Sequence, residues 1–185
     1  NPWAAIAAAV VFCVLLGFTI EKVAYKPLRG ASPLAVLITA IGVSYFLQSL
    51  AQIIFGSASK MVNIADLGVL HWGELSVQVS SLVTLGCTVI IMVGLNLFVR
   101  FTKTGRAMLA VSEDRGAAQL MGINVNSTIS MTFAIGSALA AIAGILLCSS
   151  YPTLMPTTGA MPGIKAFTAA VFGGIGSIPG AMVGG

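Results

Sequence analysis

The sequence predicts an all-α fold, a polytopic transmembrane helical bundle, and three observations lead there. Hydrophobic residues fill 57% of the 185 positions and charged residues 8%, with a mean hydropathy of +1.01. A water-soluble domain carries about a quarter charged residues, so nine basic and five acidic side chains are too few to solvate a globular surface. Long stretches free of charge recur along the chain, and the basic residues fall between them.

A helix rises about 1.5 Å per residue through hydrocarbon about 30 Å thick, so a span needs roughly 20 apolar residues. Residues 2–20, 34–55, 79–99 and 129–148 meet that need without one charge. A fifth apolar segment, 166–185, is interrupted by Gly and Pro. Lys or Arg at the centre of a span would cost roughly 2.5–3.5 kcal/mol, which makes the absence of charge informative. The first stretch is no secretory signal, because its basic residues follow the apolar run. The chain opens at Asn1 without Met and closes in an apolar run, so residues 1–185 read as one partial transmembrane domain of a longer protein.

The connections give orientation. Lys22, Lys26 and Arg29 follow the first span, and Arg100, Lys103, Arg106 and Arg115 follow the third. The other connections hold only Lys60, offset by Asp66 and Glu74, and Lys165. Seven basic residues against two, alternating connection by connection, place the richer loops in the cytoplasm and Asn1 outside. Within the fourth span, Gly136, Ser137, Ala138, Ala140, Ala141, Ala143 and Gly144 predict close helix packing. Cys13, Cys87 and Cys148 are odd in number and far apart, giving neither a disulfide framework nor metal spacing.

Three segments hold candidate functional residues. In the loop 100–128, residues 112–122 read as one short helix, with Ser112 as N-cap, Glu113 and Asp114 at its positive end and Gly122 as its stop. Ala117, Ala118, Leu120 and Met121 offer an apolar surface that a partner's groove, or equally the bilayer surface, would bury. In the last segment, Gly173, Gly174, Gly176, Pro179 and Gly180 rule out a straight helix. Broken backbone in a membrane points to a path-lining or gating role, ahead of the close helix packing that the small-residue spacing also allows. In the second span, Ser44, Gln48 and Gln52 share one helix face, suited to lining an outer vestibule or to hydrogen-bonding a neighbour.

Other chemistries are excluded. No P-loop is present, no acid–base pair lies within a span, and no titratable cluster suggests an enzyme. The basic residues form no patch with interleaved aromatics, which excludes nucleic acid. His71, beside Trp72, reads as interfacial, and the sequon at Asn126 falls on the cytoplasmic side.

At these segments the chain resembles a family. The residues that carry it are Glu21-Lys-Val-Ala-Tyr-Lys-Pro-Leu-Arg29, Thr39-Ala-Ile-Gly-Val-Ser-Tyr-Phe-Leu-Gln48, Gly105-Arg-Ala-Met with Glu113-Asp, and above all Lys165-Ala-Phe-Thr-Ala-Ala-Val-Phe-Gly-Gly-Ile-Gly-Ser-Ile-Pro-Gly-Ala-Met182. They closely resemble permease subunits of branched-chain amino-acid ABC importers, the first-permease type above the second. The resemblance implies a bacterial inner-membrane permease, not an enzyme. It works with a second permease subunit, two cytoplasmic ATP-binding subunits that hold the ATP, and an external solute-binding protein. It also implies that residues 112–122 are the ATPase-coupling segment. ABC permeases carry a Glu-Ala-Ala…Gly pattern there; Ala117, Ala118 and Gly122 keep its spacing, while Gly116 stands in place of the Glu. Related permeases import urea or short amides. An ion-coupled transporter or channel is the other class that a broken helix admits.

Overall fold

The first charge-free stretch folds as α1 (Pro2–Ile20), and its last turn widens into a π-helical turn over Glu21–Tyr25. A computed structural model describes residues 2–61, 69–72, 75–174 and 176–185. Its further elements are α2 (Pro33–Phe55), β1 (Lys60–Met61), β2 (Val69–Trp72), β3 (Leu75–Gln78), α3 (Val79–Phe101), α4 (Lys103–Glu113), α5 (Arg115–Leu120), α6 (Val125–Ser150), β4 (Thr153–Leu154), α7 (Ala160–Phe172) and α8 (Ile178–Gly184). The chain is all-α in class, and among the described residues four helices, α1 with its π turn, α2, α3 and α6, are long and apolar enough to cross a membrane.

Local chemistry sets the boundaries. Ser32 is extended and its hydroxyl accepts the Ala35 N–H, which starts α2. The helix stops at Gly56, whose φ of 81° only glycine adopts freely. Thr102 breaks the run from α3 into α4, extended at φ −88° and accepting the Gly105 N–H at 3.0 Å. Arg100 in the last turn of α3 suits the negative end of that helix.

The chain forms two units. In the first, Asn1–Gly56 with Val99–Leu147, α1 lies against α6. A Cβ on Gly17 would fall 1.7 Å from the Ser137 hydroxyl oxygen, so these helices touch through a missing side chain. Tyr25 and Phe133 extend the contact, with ring centroids 5.0 Å apart. Below it, Val111, Ala118 and Val125 form a small buried core with Ala110, Ile123 and Ile129 around it. Elsewhere the long helices turn apolar side chains outward, Phe12 and Ile53 among them, as suits a hydrocarbon solvent.

The second unit is Ser57–Phe98 with Cys148–Gly185. In it β1 pairs antiparallel with β4, Lys60 opposite Leu154, which joins the connection after α2 to the connection after α6. β2 pairs with β3, His71 opposite Ser76 and Trp72 opposite Leu75. Strand pairing was not expected here, although two residues between short alternating runs is a hairpin spacing.

The last segment also differs from expectation. The helix begins at Ala160, six positions before 166, and Lys165 lies within α7 instead of in a connection. At 13 and 7 residues, α7 and α8 are each shorter than a span and pack against one another. α6 is longer than expected, starting at Val125 and ending at Ser150.

Candidate functional site

Residues 112–122, expected as one helix, divide between two. Asp114, not Ser112, is the cap: it is extended at φ −147°, and its Oδ1 accepts the N–H groups of Gly116 at 2.7 Å and Ala117 at 3.1 Å. A carboxylate at a helix N-terminus outcompetes a hydroxyl two residues earlier because it satisfies two orphan donors and meets the helix dipole. Ser112 instead donates its hydroxyl to the Leu109 carbonyl at 2.7 Å, inside α4, and Glu113 is the last residue of that helix. Gly122 does stop α5. At φ 81° it donates to the Gln119 carbonyl, and Ile123 donates to the Ala118 carbonyl, both at 3.0 Å, the paired bonds of a Schellman motif.

This short helix has two faces. Ala118 is 2% exposed and packs into the small core, so it cannot contact a partner as its sequence position suggested. Leu120 and Met121 are 90% and 83% exposed, with Ala117 outward beside them. Two large apolar side chains thus project from the end of a capped helix into the surroundings.

Behind α5 lies a charged cluster that sequence reasoning missed. Glu21 is 1% exposed and is the one fully buried charged side chain among the described residues. Its Oε1 pairs with Arg29 Nη2, and its Oε2 accepts the Ser130 hydroxyl at 2.9 Å. Arg29 Nη1 donates to Asn126 Oδ1, which gives the sequon asparagine a structural task. The Arg29 carbonyl accepts Arg115 Nη1 at 3.1 Å, and Arg115 is the first residue of α5. Removing one member of a buried pair costs about 3–5 kcal/mol, because the other charge stays behind unpaired. The one available signal was a lone acid at the edge of a span with an Arg eight positions on.

The glycines of the last segment come together. α7 ends at Phe172, and Gly174 and Gly176 take φ values of 91° and 102° in the turn. Ser177 then caps α8, accepting the Gly180 N–H at 3.1 Å. Pro179 is therefore not the break: it sits in the first turn of α8, where its missing N–H had no helical partner to lose. Gly173, Gly180 and Gly184 carry the contact between the helices, where an added Cβ on Gly180 would stand 2.0 Å from the Gly173 carbonyl oxygen. The segment is thus a turn between two touching helices. On α2, Gln48 donates to the Ser44 hydroxyl at 3.2 Å, and Gln52 is exposed one turn further along the same face.

Comparison with known proteins matches these segments to a family. The family model described as the permease component of the branched-chain amino-acid transport system covers residues 1–185. The chain is 44% identical over 187 residues to the high-affinity branched-chain amino-acid transport system permease protein BraD of Pseudomonas aeruginosa, covering 98% of this chain and 61% of that protein. It is 43% identical over 192 residues to the LivH permease protein of Escherichia coli K12, covering 99% and 62%. It is 41% identical over 194 residues to LivH of Salmonella typhimurium, covering 100% and 63%. The chain thus spans about three fifths of the length of these relatives. No solved structure matches it. Four helices apolar enough to cross a membrane among the described residues, and a family match over residues 1–185, place the chain in the family of branched-chain amino-acid transport system permease components.

Proposed function

We propose that the chain is the membrane-spanning part of an ABC importer permease that carries branched-chain amino acids across the bacterial inner membrane by alternating access. The observation that carries this reading is the family match over the whole chain, with relatives named for branched-chain amino-acid transport at up to 44% identity. The protein is a transport component and not an enzyme. It works with a second permease subunit, cytoplasmic ATP-binding subunits that hold the ATP, and an external solute-binding protein.

In this reading α5 is the coupling helix. Leu120 and Met121 seat in the ATP-binding partner, and closure of that partner on ATP displaces α5 towards the bundle. The bistable element that such coupling requires is the α7–α8 turn at Gly173, Gly174, Gly176 and Gly180. Ser44, Gln48 and Gln52 line the outer approach.

The orientation puts both basic connections in the cytoplasm and the Asn1 side outside. Two contacts fit the alternation of the spans. The connections after α1 and after α3 meet where Arg115 reaches Arg29, and those after α2 and after α6 meet where β1 pairs with β4. Helices that cross the bilayer in alternation bring each of these pairs to one face, and the basic residues name which face is cytoplasmic.

The test is uptake of labelled leucine by vesicles holding the complete transporter, competed by isoleucine, valine and urea. Uptake that requires ATP and yields to the branched-chain amino acids supports the reading. Uptake driven by an ion gradient alone overturns it, and competition by urea alone moves the substrate to amides.

A further inference from the structure

The buried cluster at Glu21 has no part in the scheme above, yet it holds four separate parts of the chain together. The Glu21 carboxylate lies at the end of α1, Arg29 in the connection to α2, and Asn126 and Ser130 in the first turns of α6. Through the Arg29 carbonyl, Arg115 adds the first residue of α5. The sequence separations are 8, 97, 109 and 86 residues, so no local backbone requirement explains the convergence. An Arg fork held on two sides by oxygen acceptors has its orientation set. The peptide carbonyl of the same residue is then presented in a fixed direction to Arg115.

We propose that Glu21 and Arg29 are positioning residues for energy coupling: they hold the start of α5 to the ends of α1 and α6, so that a push on α5 moves those helices. This rests on the reading of α5 as the docking helix. The connection at residues 121–124 joins α5 to α6 at one end only, through a glycine turn beside which Ala118 packs with Val125. The Arg115–Arg29 bond adds a second link. It enters the helix at its other end and leads directly to a charge that cannot move without being uncovered. Glu21 acts through Arg29, and Arg29 acts through Arg115; neither touches substrate or ATP.

The experiment uses the complete transporter in vesicles and reads leucine taken up per ATP hydrolysed, normalised to assembled complex. The variants are Arg29→Gln, Arg115→Gln, their double, and Arg115→Lys. The ratio is expected to fall by about fivefold or more in each Gln variant, the low end of ordinary coupling factors. It falls no further in the double, because both remove one connection, and Arg115→Lys recovers part of it. An unchanged ratio in assembled Arg115→Gln overturns the proposal by itself, even where Arg29→Gln fails to assemble. Independent, multiplying losses in the double also overturn it, as does a loss confined to the amount of complex. Failure of wild type to take up leucine with ATP would instead remove the functional reading on which the proposal stands.

Discussion

Gly173 and Gly180 meet backbone to backbone: a Cβ on Gly173 would stand 2.1 Å from the Gly180 carbonyl oxygen. Gly184 repeats the contact one turn on, its added Cβ 2.7 Å from the Ala169 carbonyl oxygen. The obstructing atoms are main chain, so no rotamer change relieves them.

Gly173→Ala and Gly180→Ala should therefore force α7 and α8 apart. The expected loss is about 1–3 kcal/mol, the usual cost of overpacking, read as a lower midpoint of thermal unfolding in detergent. Gly163→Ala, with open space around it in the same helix, should leave the midpoint unchanged or slightly higher.

The contact between α1 and α6 makes a reciprocal pair. Gly17→Ala places a methyl on the Ser137 side chain and should destabilise by about 1–3 kcal/mol. Ser137→Gly, harmless or mildly destabilising alone, should recover much of that loss in the double variant. Additive losses in the thermal midpoints would show that these residues do not touch.

Ala118 and Leu120 should separate folding from docking. Ala118→Asp buries an unpaired carboxylate beside Val111 and Val125, so the chain itself should lose stability and accumulate poorly. Leu120→Asp changes an exposed position and should shift the chain's own stability by no more than about 0.5 kcal/mol. Its effect should appear as at least roughly fivefold weaker co-purification of the ATP-binding subunits, as for an anchor residue worth about 1 kcal/mol or more.

Loss of the Asp114 carboxylate removes the partner of two N–H groups. Asp114→Ala should weaken α5 by about 0.5–2 kcal/mol, whereas Asp114→Asn keeps an acceptor and most of the stability. Hydrogen exchange at Gly116 and Ala117 reports this directly: faster in the Ala variant, near normal in the Asn variant.

Orientation is open to labelling. With Cys13, Cys87 and Cys148 replaced by Ala, single cysteines at Lys26 and Gln119 should react only with reagent on the cytoplasmic side. Cysteines at Ser57 and Thr157 should react only from outside. Any pair in the opposite sense would refute the positive-inside assignment.

The long spans were legible because hydrocarbon imposes a length and forbids charge: residues 2–20 and 34–55 match α1 and α2 to within one residue. The helical character of residues 112–122 was legible, but their division between α4 and α5 was not. Propensity favours both Ser112 and Asp114 as caps, and only the folded chain shows which one turns extended. The inward turn of Ala118 was hidden for the same reason, since a six-residue helix is too short for a periodic pattern to declare a face. The Glu21 cluster was out of reach because its partners lie up to 109 residues away. At the C-terminal end, the glycines announced irregular backbone, but whether the chain continues or doubles back depends on contacts that composition does not encode.

One widened turn governs how much length variation this protein tolerates. Over Glu21–Tyr25 the backbone closes at five residues instead of four, as the bond from the Lys26 N–H to the Glu21 carbonyl shows. Deleting a single residue from positions 22–25 would restore the ordinary pitch and leave everything after it close to its present direction, because the lost residue and the tighter turn offset one another. Arg29 would then still reach its acid. A one-residue deletion at Ser57 or Ala58 has no widened turn to give up and adjoins the β1–β4 pairing, so the two connections should differ sharply in the indels that survive selection for growth on leucine.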